Sequence, residues 1–278
     1  MTDLKHKYAT PRVSTRGYYD LRNGRKLKDS KYFLYPKSKF NKIFDEKKTK
    51  EIVIFIHGMR NTRYGAKKGT DILRLRLRKL GYKKHPVIAF SYDADVRGAH
   101  LDVNYENVLN RASRIAKANG KHLTQFIEEL RTKNPDIKIH LVGHSLGCEV
   151  IHSYIHEAVW NGNSVRGIKT TKKLQVDSIH LFGSPIETWR LNNNTTNVIR
   201  FINYYNPTDN ELIQGVLKGY CKEPSCLYKV DNMTRTIKRY EKAPELLKAL
   251  GYKKILNISC KAKDHRFRSY VEKLMRFP

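Results

Sequence analysis

One pentapeptide has the make-up of a nucleophile site: Gly143-His144-Ser145-Leu146-Gly147. It follows the apolar run Ile137-Lys138-Ile139-His140-Leu141-Val142, and the stretch Leu146 to Trp160 behind it has helical apolar spacing. A serine hydroxyl is a weak nucleophile until a neighbouring base takes its proton. A tight turn from strand to helix lifts Oγ clear of the backbone, and small residues two positions to either side let strand and helix close around it. Ser145 is therefore the expected nucleophile, and the chemistry is acyl transfer through a serine ester.

A second turn supports the first. His57-Gly58-Met59 follows Ile52-Val53-Ile54-Phe55-Ile56, a continuous β-branched and aromatic run of the kind that is buried on both faces of a parallel sheet. In such a fold this turn lends one backbone N–H to the oxyanion hole, and the residue after the nucleophile lends another. The expected donors are Met59 and Leu146. His57 is read as a structural hydrogen-bonding residue.

These turns need a frame. Further buried runs occur at Val87–Tyr92, Ile179–Phe182, Val198–Ile202 and Ile255–Ile258. Helical stretches lie between most of them: Asp71 to Leu80, with Gly81 able to end it, and Tyr105 to Arg131, with Gly120 as a candidate break. The alternation predicts an α/β fold with a mainly parallel sheet flanked by helices. In residues 1–50, Gly17–Leu21 and Arg25–Lys28 flank Asn23-Gly24, a hairpin signal, and residues 31–35 read as a further strand. The expected organisation is a basic N-terminal hairpin region, 1–50, in or on the sheet. Residues 51–278 form the main domain, with an insertion or cap expected at 210–253.

The segments Ile52 to Gly58 and Gly143 to Gly147, with the spacing between them, resemble the α/β-hydrolase superfamily. Phe90-Ser91-Tyr92 before a long helix is similar to its serine-esterase-like branch. Leu181-Phe182-Gly183-Ser184-Pro185 resembles lipase- and inositol-deacylase-like members. The resemblance spans about residues 50–270. It implies an acid and a histidine after the nucleophile, in that order. The acid usually follows the second strand after the elbow, where Asn206-Pro207-Thr208-Asp209-Asn210 provides Asp209; the histidine should follow the next strand. His265 meets that requirement and is the only histidine after His180. Asp264, Asp231 and the pair Asp93/Asp95 remain competitors for the acid. The implied activity is hydrolysis of carboxylic esters, lipid or small acyl, with no metal and no cofactor.

Glu149, His152 and His156 share a helical face and have ligand spacing, but a polar face opposite Val150, Ile151, Tyr154, Ile155 and Ala158 is the plainer reading. Cys221 and Cys226 form one pair without a second, which is weak as a zinc site. Four cysteines, no apolar leader and no 18-residue apolar run point to a cytoplasmic protein without a membrane span. The charge is +29, with 55 Lys+Arg against 26 Asp+Glu, and residues 1–50 and 212–278 carry +10 each. Such a field suits an anionic membrane surface. No zinc-finger or RNP-type pattern accompanies it, so nucleic acid is not expected as a partner. The alternative function is a basic membrane- or nucleic-acid-binding module on a hydrolase scaffold with weak or no turnover.

Overall fold

The apolar runs become the strands of one sheet. A computed structural model describes residues 10–99, 105–161, 175–188, 198–218, 220, 223–228 and 255–277. Among the described residues eight strands are formed: β1 (Arg12–Ser14), β2 (Phe33–Tyr35), β3 (Glu51–Ile56), β4 (Val87–Ser91), β5 (Lys138–His144), β6 (Val176–Phe182), β7 (Val198–Tyr205) and β8 (Ile255–Ser259). Their order is β2-β1-β4-β3-β5-β6-β7-β8. Only the β1–β2 pair is antiparallel. The helices are α1 (Lys37–Ile43), α2 (Arg63–Lys79), α3 (Tyr105–Lys133), α4 (Gly147–Asn161), α5 (Asn210–Leu217) and α6 (Phe267–Tyr270).

Alternate residues of the central strands serve two cores. Ile52, Ile54 and Ile56 join a cluster with Ile115, Leu123 and Phe126 of α3 and Ile151 of α4. Val53 and Phe55 face the other way, with Leu73 and Leu77 of α2 and the C-terminal Phe267, Tyr270 and Phe277. Burial on both faces explains why these strands carry unbroken apolar runs.

From β3 the chain steps outward to β4, then returns to the other side of β3 as β5. This reversal opens a crevice at the carboxyl ends of β3 and β5, where open α/β sheets bind ligands. The register aligns Ile56 with Gly143, and His144 with Phe182. The turns after β3, β5, β6, β7 and β8 consequently converge on one edge.

Several elements depart from the sequence reading. α2 starts eight residues earlier than Asp71, because the Thr62 hydroxyl caps it by accepting from Gly65 N at 3.2 Å. α3 is continuous through Gly120, where a Cβ would lie 2.5 Å from Ser153 Cβ; the glycine allows α3 and α4 to approach closely. The Asn23-Gly24 turn closes a single antiparallel bridge, Tyr19 to Lys26, instead of two full strands. β1 and α1 are additional. Of the expected cap, α5 is described, and most of 219–254 lies outside the described residues. Among the described residues no helix is long and apolar enough to cross a membrane.

The N-terminal segment is tied to the sheet through a buried carboxylate. Asp93, just beyond β4, accepts from the backbone amides of Gly17, Tyr18 and Tyr19 at 2.9–3.0 Å. A buried charge of this kind stands only when donors surround it, and removing it strands the donors in turn. Asp93→Ala should cost about 2–4 kcal/mol of stability in urea denaturation, and limited proteolysis should cut first between residues 15 and 35. An unchanged midpoint and cleavage pattern would contradict this account.

Candidate active site

Ser145 stands at the junction of β5 and α4 with φ +52°, a left-handed conformation that is costly for a non-glycine residue. Its amide donates to Phe182 O at 2.9 Å, and its carbonyl accepts from Cys148 N at 2.9 Å. The flanking glycine is required by space: a Cβ at Gly147 would fall 2.2 Å from Ile56 O. On the facing loop, a Cβ at Gly58 would fall 2.7 Å from Ser145 Cβ. The β5–α4 turn is thus pressed against the end of β3, with the serine side chain beside the His57-Gly58-Met59 turn. No hydrogen bond among the described residues occupies the Met59 or Leu146 amide.

Asp209 and His265 are brought together. Asp209 caps α5, its Oδ1 accepting from Leu212 N at 3.2 Å. Its Oδ2 accepts from His265 Nδ1 at 2.8 Å. The Tyr270 hydroxyl donates to the same oxygen at short range, and the Cys226 thiol lies 3.8 Å from it. Burial alone would raise the Asp209 pKa, but these donors hold it below the usual carboxylate range. Burial would likewise lower the His265 pKa. The hydrogen bond and charge of Asp209, helped by Glu211, outweigh it and raise that pKa above the ordinary imidazole value. With Nδ1–H given to Asp209, Nε2 is the nitrogen left to exchange a proton. Ser145 and His265 line one cleft of about 750 Å3, together with Gly58, Met59 and Leu146.

Two of the competing acids are engaged elsewhere. Asp93 is enclosed by the N-terminal amides. Asp264 accepts from Arg266 N and the Ser269 hydroxyl at the start of α6. Asp231 lies outside the described residues.

Two further histidines lie near the serine, each with its ring held by a backbone carbonyl. His57 stacks on Tyr92 with ring centroids 4.7 Å apart, and Nδ1–H donates to Gly58 O at 3.0 Å. Burial, reinforced by Arg16, pushes its pKa down to about 3, so it is neutral. His144 is also buried, with its pKa pushed down to about 3 by burial and by the charge of His265. Its Nε2–H donates to His265 O at 2.7 Å, bracing the histidine loop from β5. That bracing role, and those of Tyr270 and Cys226 at Asp209, escaped sequence reading. The place of His144 directly before the serine of the pentapeptide was the one available signal for it. Among the described residues no group of three His, Cys, Asp or Glu side chains could hold a metal ion.

Apolar walls come from Phe55, Met59, Ile72, Leu109, Leu146, Leu212 and Phe267. The charged lining is Arg60, Lys68, Lys117, Arg266 and Arg268 against Glu149, Glu187 and Glu211. Five to three is no more basic than the chain's 55 to 26, so the cleft does not concentrate the positive charge.

The solved structures to which the chain is similar include the catalytic core domain of acetyl xylan esterase from Trichoderma reesei, 16% identical, with a TM-score of 0.28 over 49% of this chain and 64% of that one. The chain therefore spans less than two thirds of that esterase domain. A gene product of Listeria innocua is 14% identical, with a TM-score of 0.38 over 75% of this chain and 98% of that one. The chain matches no curated protein. Residues 35–200, which carry β3, β5 and the Ser145 turn, match the model of an alpha/beta hydrolase family of unknown function, DUF900. The chain belongs to that alpha/beta hydrolase family.

Proposed function

We propose that this hydrolase cleaves carboxylic esters, of lipids or small acyl compounds, with Ser145 as nucleophile, His265 as base, Asp209 as orienting acid, and the Met59 and Leu146 amides as oxyanion donors. The observation that carries the reading is the left-handed Ser145 turn in the same cleft as a histidine hydrogen-bonded to a buried carboxylate. His265 Nε2 takes the hydroxyl proton as Oγ attacks the ester carbonyl. The two amides hold the oxygen that becomes negative. The imidazolium, stabilised by Asp209, then protonates the departing alkoxide, and water hydrolyses the acyl-enzyme by the same steps. The apolar walls suit an acyl chain.

Ser145→Ala is expected to abolish covalent labelling by a fluorophosphonate while leaving the thermal midpoint near that of the wild type. Undiminished labelling of that variant would remove Ser145 from the role.

The pH dependence has a definite sign. Base catalysis needs neutral His265, so kcat/KM should rise with pH to a midpoint above about 6.5, the ordinary imidazole value, because the His265 pKa is raised. Asp209→Asn removes the largest influences that raise it, and leaves the smaller one of Glu211 against burial, which lowers it. The midpoint should therefore move to lower pH, while the plateau falls about 10,000-fold. A pH–rate profile that keeps its midpoint and height in Asp209→Asn would exclude Asp209 as the acid.

The positive charge is proposed to serve association with an anionic membrane surface. α2 carries seven basic residues and one acidic residue in 17 positions, with Tyr64 and Leu75 exposed among them. Its residues Gly65, Lys68, Gly69 and Ile72 border the cleft. Exposed charges are screened over about 8 Å at 0.15 M salt. Binding to vesicles containing phosphatidylserine should therefore fall steeply between 0.05 and 0.5 M salt, on the order of tenfold or more. Turnover of a small neutral ester should change less than about twofold, since its oxyanion is held at short range. Equal salt sensitivity of both would move the charge into the active site, and binding without turnover would favour a pure binding module.

A further inference from the structure

The Met59 amide lies in a loop, His57 to Asn61, between the end of β3 and the start of α2. The Gly58 carbonyl and the Met59 N–H belong to one planar trans peptide and point in opposite directions. Whatever fixes that carbonyl therefore aims the N–H. Gly58 O accepts from His57 Nδ1 at 3.0 Å and from Asn61 Nδ2 at 3.1 Å. Asn61 Nδ2 also reaches Met59 O at 3.0 Å. Both of these supports meet one guanidinium. Arg16 Nη2 donates to Asn61 O at 2.8 Å and lies 3.3 Å from His57 Nε2, which is an acceptor because Nδ1 carries the proton. Arg16 Nε donates to Ser91 Oγ at 2.7 Å, anchoring the group to the end of β4.

Arg16 is itself held in place. Thr15 N donates to Ser91 O at 3.0 Å, and the next three amides, Gly17 to Tyr19, close on Asp93. The residue lies outside the stretch 35–200 that matches the family. A planar fork with several donors can bridge Ser91, His57 and Asn61 at once, whereas a lysine ammonium on its single stem cannot.

We infer that Arg16 is a positioning residue of the active site: the N-terminal segment delivers its guanidinium to the His57–Asn61 loop and so aims the Met59 amide at the oxyanion. This rests on the proposed serine mechanism. Misplacing one oxyanion donor costs the transition state, where the charge develops, much more than the ground state.

The test compares wild type, Arg16→Met, Arg16→Lys and Asn61→Ala with p-nitrophenyl acetate, each rate divided by the number of sites titrated with a fluorophosphonate. A trifluoromethyl ketone provides a second readout. Ser145 Oγ adds to its carbonyl carbon as the hydroxyl proton passes to His265, leaving an oxyanion in the hole. Arg16→Met should lower kcat per titrated site by about 10–100-fold, with KM changed less than about twofold, and weaken the ketone by the same factor as kcat/KM. Arg16→Lys should recover part of the loss. Asn61→Ala should show the same split, and combining it with Arg16→Met should cost little more than the worse single change, because both act through one peptide. Wild-type kcat per titrated site in Arg16→Met, or a loss seen only as fewer titrated sites with a lower thermal midpoint, would overturn the inference. A wild-type enzyme that fails to label at Ser145 would instead overturn the serine mechanism, and this inference with it.

Discussion

The carboxyl edge of the sheet is organised around one charge that has no access to water. Asp209 is fully buried, and an ionised carboxylate in that position is tolerable only if donors replace its hydration. They come from four separate stretches: the first turn of α5, the segment 223–228, the loop after β8, and α6. Satisfying one side chain therefore ties the C-terminal third of the molecule to the end of β7. The His265 loop cannot drift without exposing the charge. From the opposite side it is pinned to β5 through His144, so the serine turn and the proposed base are parts of one rigid assembly.

Hydrogen-bonded pairs of this kind do not by themselves make a site. Buried Ser178 lies 2.7 Å from His140 Nδ1, and His140 Nε2 lies 2.8 Å from Glu51, which reproduces serine, histidine and carboxylate in sequence. Phe277 stacks flat on that histidine, 4.1 Å away, and none of the three residues lines the cleft. Asp93 makes the complementary point: it is buried at the same edge as Asp209, but among the described residues its hydrogen bonds come from the backbone amides of Gly17, Tyr18 and Tyr19 and none comes from a histidine. What distinguishes Asp209 is a histidine that shares a cleft with a serine held in a left-handed turn.

Much of the frame is legible in the chain because burial on both faces leaves an unmistakable trace. Runs such as Ile52–Ile56 and Val87–Phe90 have no polar alternation, and counting strands singled out Asp209 and His265, which the fold brings within hydrogen-bond distance of each other. Local capping was less legible: Thr62 starts α2 in a stretch, Arg63 to Lys68, whose charges hide the amphipathic pattern. Least legible were the residues that matter only through distant partners. Nothing in Thr15-Arg16-Gly17 announces a guanidinium under the β3 loop, since its contacts lie 41 to 75 positions away. Strand order favours Asp209 over Asp93 in the sequence, but only the tertiary arrangement separates amide-bound from imidazole-bound carboxylate.

The same arrangement bears on how a chain of charge +29 can keep the proposed base at this edge. A cation near His265 opposes its protonation, and Arg60 acts in that direction. The proposed mechanism depends on an imidazolium that can form during the reaction, so an unscreened field from the basic surface would raise the barrier. One glutamate of the lining opposes that field at His265. Glu211, in the first turn of α5, lies 4.0 Å from Arg60 and acts on His265 in the same sense as Asp209. Because Asp209 caps the helix that carries Glu211, the element that orients the histidine also supplies the charge that shields it. The basic residues of α2 can then crowd the outside of the cleft without dictating the chemistry within it.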